Sequence, residues 1–284
     1  MGDFGLDTAV ERVDERRYRG SLSSDWEIWG PCGGYVTSVA LRAAGESTSF
    51  RRPASFSCHF LGVARFDEID VEVTSLRAGR RSESLRVSMT QGDRHIAELL
   101  VWAVDQDAEG VTLDWVPAAD HPPPGDVPTI QERMDDWRAW YPFWKNFEYR
   151  PLEWRTEQEY QAARPLEPTW EAWFRYLPTS VFDDPWIEAG RVSLLADVAF
   201  WPAISRAIPA EQGDNWIAPS LDVAVSFHQM PEGSEYLWLD AHAPIAADGL
   251  GGGTARIRGD DGRLLCSATQ QMLFRRVDPS MLPG

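Results

Sequence analysis

The chain is short of several things that usually announce a function. Cysteine is scarce: Cys32, Cys58 and Cys266 are an odd number, widely spaced and in no CxxC pair. That argues against a disulfide framework and against a thiolate zinc site, and it suits reduced thiols in a core. No apolar run approaches the ~20 residues needed to span a bilayer. Residues 1–20, MGDFGLDTAVERVDERRYRG, have neither the basic start nor the apolar stretch of a secretory signal. The expected location is therefore the cytoplasm, with no membrane partner. Positive charge is also in short supply. With 27 Lys and Arg against 44 Asp and Glu, the net charge of −17 repels a polyanion over most of the surface, so nucleic acid is not an expected partner. The basic residues occur only in short groups, Arg16-Arg17, Arg51-Arg52, Arg80-Arg81 and Arg275-Arg276, which read as solvated faces, although one could meet a ligand phosphate. The glycine-rich stretch GPCGGY lacks the spacing of a Walker or dinucleotide fingerprint, which excludes a nucleotide fold.

What is present is a soluble globular composition, 43% hydrophobic and 25% charged, in 284 residues, enough for one large domain or two of about 140. The stretch that organises the chain is 184–201, DPWIEAGRVSLLADVAFW. Asp184 caps a helix with Pro185 at its first position, and Pro202 is expected to end or kink it after about four turns. Steps of three and four from Asp197 reach Leu194, Gly190, Ile187 and Trp201, so this carboxylate shares a stripe with apolar or small residues. A buried acid needs a partner; the plainer alternative is an acid at the edge of the buried face, bonded to backbone.

An earlier helix opens at 29–35, WGPCGGY, and is expected to stop at Gly45. Glycines at a helix start leave backbone N–H groups open to an anion or a developing oxyanion, or they serve tight helix–sheet packing; both readings stand. Residues 9–22 suit one or two exposed strands. From Ala54 the pattern turns to period two, ASFSCHFL, EIDVEVTSLRAG, RSESLRVSMTQGD and RHIAELLVWAV, four strands separated by turn residues. The Pro- and Trp-rich middle reads as a connection, with Trp137, Trp140 and Trp144 forming a packing face. Strands at 147–153 and 169–177 follow, then the Asp184 helix and a second meander. The step from His59 to His228, which lie in similar strands, also carries Arg94 onto Arg263 without a gap. Such self-similarity predicts two copies of one α+β fold packed as a pseudo-dimer: residues 1–106, a connection at 107–144, and residues 145–284.

The pieces WGPCGGYVTSVALRA, FEYRPLEW, LLADVAFWP, PSLDVAVSFHQ and CSATQQMLFRR, in this order and spacing, resemble the acyl-CoA thioesterase II (TesB-like) family. The resemblance implies two tandem hotdog domains, each a curled antiparallel sheet around a central helix. It implies hydrolysis of acyl-CoA to free acid and coenzyme A, with no cofactor and no metal, since coenzyme A is part of the substrate. It also implies a homo-oligomer of double-hotdog chains. By motif the family's water-holding residues fall on Asp197, Gln270 of SATQQ and Ser220 of PSLD, where the family has Thr. Ser keeps the hydroxyl and loses a methyl. In this reading Asp197 is the base, Ser220 and Gln270 orient the water, and the backbone N–H of Gly33 or Gly34 is the oxyanion donor. The ungapped repeat places Ile28 opposite Asp197, so the first half is expected to lack a base.

Other residues have competing uses. His59 and His228 at matching strand positions suit fold maintenance. Asp222, two residues past Ser220, is expected on the same strand face, as support or as surface. A Cys32–His59 dyad would make an acyl-transferring enzyme. A hotdog hydratase would need a motif like GDxNPxH, which is absent. A non-catalytic acyl-CoA-binding or sensing protein is the remaining alternative.

Overall fold

The computed structural model describes all residues except 106–108, 118–119, 136–140, 214 and 279–284. The predicted face of Trp137 and Trp140 lies outside the described residues. The first half holds α1 (Phe4–Asp7), β1 (Val10–Asp14), β2 (Arg17–Ser21), α2 (Gly33–Glu46), β3 (Arg52–Phe60), β4 (Glu68–Ala78), β5 (Ser82–Gln91) and β6 (Arg94–Val104). A one-turn helix α3 (Ile130–Arg133) lies in the middle. The second half holds β7 (Phe147–Pro151), α4 (Glu157–Ala163), β8 (Thr169–Tyr176), α5 (Pro185–Val198), α6 (Phe200–Ser205) and β9 (Trp216–Ile217). It continues with β10 (Ser220–Phe227), β11 (Tyr236–Ala247), β12 (Leu250–Gly259), β13 (Leu264–Leu273) and β14 (Arg275–Arg276). Twelve strands form one sheet in the order β1-β2-β4-β5-β6-β3-β10-β13-β12-β11-β8-β7, all of its pairs antiparallel, and β14 pairs with β9 separately.

The halves join at β3 and β10. Strand patterning explains which face they bury. In β3 Cys58 is fully buried and Phe56 nearly so, while Ser57 and His59 are exposed; in β10 Val223, Val225 and Phe227 are buried and Ala224 and Ser226 exposed. Alternation of this kind puts one face on the helices and the other toward solvent. Phe56 sits opposite Val225, which is also its counterpart by the step from His59 to His228, so the pseudo-twofold axis passes through this pair.

The helices α2 and α5 pack against each other inside the sheet, and both are 14 residues long. Asp184 caps α5 by accepting the Trp186 N–H, with Pro185 in the first turn, as the sequence predicts. Twelve residues of α5 are buried, and each large apolar side chain so buried stabilises the fold by roughly 1.5–3 kcal/mol. Close approach of the two helices depends on Gly34, where a Cβ would fall 2.6 Å from Leu194 Cα. Ser38 Oγ lies 2.6 Å from the Gly34 carbonyl oxygen and 3.1 Å from that of Gly190. Arg191 is fully buried yet satisfied at three points, bonding Glu188 (2.6 Å), the Ser234 carbonyl (2.9 Å) and the Ser180 carbonyl.

The helix breaks at Ala199, as expected of Pro202, which has no N–H to give the Val198 carbonyl and occupies the first turn of α6, where that loss costs nothing. Two expectations need correction. α2 runs through Gly45, whose absent Cβ would sit 2.6 Å from the Trp186 ring. The repeat is not ungapped. Ser38 contacts Gly190 at a separation of 152 residues, and the same spacing carries both ends of α2 onto those of α5. Gly45, and not Ile28, is therefore the counterpart of Asp197; Ile28 lies ahead of α2. The extra residues of the second half are α6 and β9, inserted between α5 and β10. Arg94 and Arg263 are also out of register. Phe56 pairs with Val101 and Val225 with Ala268, which makes Ala268 the counterpart of Val101 and shortens the step between β6 and β13 relative to that between β3 and β10. Hairpins gain and lose residues at turns and bulges, and an ungapped alignment misses both.

Candidate active site

Asp197 lies in the last turn of α5, 7% exposed. The Gln270 side chain on β13 and the Ser220 hydroxyl at the start of β10 reach it from the sheet, and the N-terminus of α2 reaches it from the other half. Gln270 Nε2 lies 2.6 Å from Asp197 Oδ1, 3.1 Å from the Asp197 carbonyl oxygen and 2.9 Å from Ser220 Oγ. The Ser220 hydroxyl donates to the same Oδ1 at 3.2 Å. These three side chains, far apart in sequence, thus close a triangle. On the other oxygen, Oδ2, Asp197 accepts the Gly34 N–H at 2.6 Å and the Cys32 thiol at 3.9 Å.

Burial alone would disfavour the carboxylate strongly. The donors pull the other way, first among them the Gly34 N–H at the positive end of α2 and then the Ser220 hydroxyl. Desolvation still prevails, and the Asp197 carboxyl is raised to about 6. It is ionised near neutrality yet holds a proton more readily than an exposed Asp, which suits a general base.

The local chain explains how each group arrives. A β-bulge between Ser220 and Asp222 shifts the pairing with β13. Ser220 consequently faces the helix, whereas Asp222 joins the outward set with Ala224. There Asp222 accepts the Gln271 N–H at 3.0 Å and lines, with His59, Gly252 and Thr269, an outer groove of about 470 Å³. The expectation that Asp222 shares the face of Ser220 is overturned, because one extra residue in a strand reverses its alternation. The Cys32–His59 dyad falls by the same kind of argument: Cys32 is buried against Asp197, while His59 is exposed on the outer face. Burial, then the Asp197 charge, push the Cys32 thiol far up, away from the thiolate a nucleophile needs. His228 bonds Ser267 at 3.0 Å, away from the trio.

Gly34 has its N–H committed to Asp197, which leaves Gly33 as the open donor of the pair, at the first position of α2. A Cβ at Gly33 would lie 2.9 Å from both Asp197 Oδ2 and Phe60 Cζ, so glycine keeps the approach to the carboxylate clear. The Cys32 thiol and the Gly34 N–H as partners of Asp197 were not legible in sequence, for they come from the other half of the chain. Among the described residues no group of His, Cys, Asp and Glu is placed to hold a metal ion, and no helix is long and apolar enough to cross a membrane.

A curled antiparallel sheet around a central helix, made twice and joined edge to edge, defines a double-hotdog protein. Similarity to known proteins places it among thioesterases. Residues 119–274 match the model of the acyl-CoA thioesterase C-terminal domain, and residues 22–104 that of the N-terminal domain. The chain belongs to the acyl-CoA thioesterase family and is a thioesterase. Among solved structures it is similar to an acyl-CoA thioesterase II from Mycobacterium marinum, 21% identical, with 97% of this chain and 99% of that one covered at a TM-score of 0.75. A tesB protein of Mycobacterium avium subsp. paratuberculosis is 23% identical over 96% and 98% at 0.73. A hot dog protein of unknown function from Alicyclobacillus acidocaldarius is 20% identical over 97% and 98% at 0.78. At these identities the likeness is one of fold. No curated protein matches the chain significantly in sequence.

Proposed function

We propose that the protein hydrolyses acyl-CoA thioesters by a water that Asp197 deprotonates and that Ser220 and Gln270 orient. The observation that carries this reading is the closed triangle of Asp197 Oδ1, Ser220 Oγ and Gln270 Nε2, with sides of 2.6–3.2 Å, at the foot of a helix N-terminus. A thioester is already activated, so its hydrolysis needs a positioned water, an acceptor for the proton and donors for the carbonyl oxygen. Asp197 takes the proton as the water oxygen attacks the acyl carbon. Charge then develops on the carbonyl oxygen, for which the Gly33 N–H is the donor. As the tetrahedral intermediate collapses, the thiolate of coenzyme A leaves and is protonated, and free acid remains. Ser220 in place of Thr makes the hydrogen bond with a less restricted rotamer.

In the same reading residues 1–106 and 145–284 are the two hotdog units, 107–144 connects them, and chains assemble further as homo-oligomers. Thiol release from a panel of acyl-CoAs tests the activity. If the protein binds acyl-CoA yet releases no thiol at any chain length, it is an acyl-CoA-binding module instead.

A further inference from the structure

The hydrolysis just described depends on where the N-terminus of α2 points, and the residues ahead of it form a closed loop. The Cys32 N–H donates to the Trp26 carbonyl at 3.0 Å, Glu27 and Pro31 bridge as an antiparallel pair, and the Ile28 N–H donates to the Gly30 carbonyl at 3.0 Å. Trp29 is therefore the tip of a miniature hairpin whose base opens straight into Gly33 and Gly34. That base is fixed by Trp26, fully buried and stacked on Tyr35 of α2 with 5.5 Å between ring centroids.

The tip is held by other parts of the chain. Trp29 Nε1–H donates to the Tyr141 hydroxyl at 2.9 Å, and the Trp29 ring meets Trp201 of α6 edge to face at 5.7 Å. Tyr141 leads into the short turn Pro142–Asn146, which grips the same loop further back: the Phe143 N–H donates to the Glu27 carbonyl at 3.2 Å, and the fully buried Asn146 amide donates to the Asp25 carbonyl at 2.7 Å. Trp29 is itself 38% exposed, so its orientation rests on these partners more than on core packing. A loop closed by its own hydrogen bonds moves as a unit, and a displacement of the tip reaches the base. The base carries the thiol and the N–H on Asp197 Oδ2, and the open Gly33 N–H. Catalytic donors lose much of their effect when misplaced by about 1 Å.

We propose that Trp29 is a positioning residue for the hydrolysis, pinned by Tyr141 of the connection and Trp201 of α6, so that the Gly34 N–H stays on Asp197 and the Gly33 N–H faces the reacting carbonyl. The inference rests on the thioester-hydrolysis reading and gives the Pro- and Trp-rich connection a part in it. It differs from a packing role, because loosening the tip alters Asp197 before it alters the fold. With the Gly34 N–H displaced, the ionised carboxylate loses its first donor and holds its proton to higher pH. The titratable groups that interact with Asp197, the Cys32 and Cys58 thiols, are pushed up by burial and stay neutral near pH 6.

The test measures kcat, KM and the pH profile for one acyl-CoA in Tyr141→Phe, Trp29→Phe and the double variant, which break a single hydrogen bond and keep an aromatic ring at each position. Either single change is expected to lower kcat about threefold with KM altered less than about twofold, and to move the acidic limb up by roughly half a pH unit. The double variant should match the singles, since both remove the same bond. Trp29→Ala also releases the Trp201 ring and should lose about tenfold in kcat. An acidic limb unchanged in both singles, a loss confined to KM, or losses that add in the double variant would each overturn the inference. Carbon-13 titration of the Asp197 carboxyl in the same proteins needs no turnover. If the wild type releases no thiol while the Asp197 midpoint still rises in Tyr141→Phe, hydrolysis fails and the positioning assignment stands; a midpoint that stays in place sinks the assignment whatever the activity.

Discussion

The two ends of the α2–α5 helix pair are related by the pseudo-twofold axis and have opposite contents. At one end Gly34 of α2 meets Asp197 of α5, N–H on carboxylate at 2.6 Å. At the other, the spacing of 152 residues carries Gly34 onto Trp186 and Asp197 onto Gly45, and these two also touch, the indole ring against the bare glycine. At both ends the glycine lies on α2 and the large side chain on α5, so the two helices have diverged in complementary ways. The Gln270 position shows the same divergence, because the register that makes Ala268 the counterpart of Val101 makes Ala103, fully buried, the counterpart of Gln270. One end is polar and hydrogen-bonded; the other is filled with hydrocarbon. A fold built twice thus keeps its packing at both ends and its ionisable group at one.

The largest expected effect is at the polar end. Asp197→Asn keeps the size of the side chain but cannot accept the water's proton, so kcat should fall at least ~100-fold; turnover at the wild-type rate would remove the mechanism. The same residue sets the pH profile. Its raised carboxyl must be ionised to act as base, so kcat/KM should hold steady above about pH 6 and fall tenfold per unit below it. A flat profile down to pH 5 would separate the rate from Asp197.

Trp186→Ala probes the filled end. Truncating so large a buried ring should cost about 3–5 kcal/mol in denaturant unfolding, with thiol release per folded molecule changed by no more than a few-fold. A rate loss comparable to that of Asp197→Asn would mean that the two ends are not independent. Smaller effects are expected from Gln270→Ala and Ser220→Ala, which remove orientation only. Measured in kcat, each should lose less than Asp197→Asn and add less than its own share when combined with it, since all three act on one water. Ser220→Thr restores the hydroxyl with a stiffer rotamer and should be neutral or mildly improving. Cys32→Ser should be the mildest change, a few-fold at most, because the thiol contact at 3.9 Å is the weakest on the carboxylate. A ~1,000-fold loss without unfolding would restore the nucleophile.

Much of this was legible along the chain because it depends on local rules. The cap at Asp184, the glycine-led start of α2 and the four period-two strands of the first half each follow from neighbours in sequence. The motifs around Asp197, Ser220 and Gln270 were legible in the same way, each on its own segment. The short helix α4 was missed although its capping box, Thr156 with Glu159, was in plain view.

What the sequence by itself determined is the two central helices, the main strands with their buried faces, and the three polar side chains with a chemistry to perform. Only the tertiary structure decided what those side chains meet. The bulge at the start of β10 turned Ser220 inward and Asp222 outward, a matter of strand register that no side chain announces. The close helix crossing brought Gly34 and Cys32 onto Asp197 from 163 and 165 residues away. The insertion of α6 and β9 changed the repeat spacing, and with it the counterpart of Asp197 from Ile28 to Gly45. Local propensity reads a residue against its neighbours, whereas a carboxylate's partners and its proton affinity depend on what packing brings beside it and on the water that packing removes.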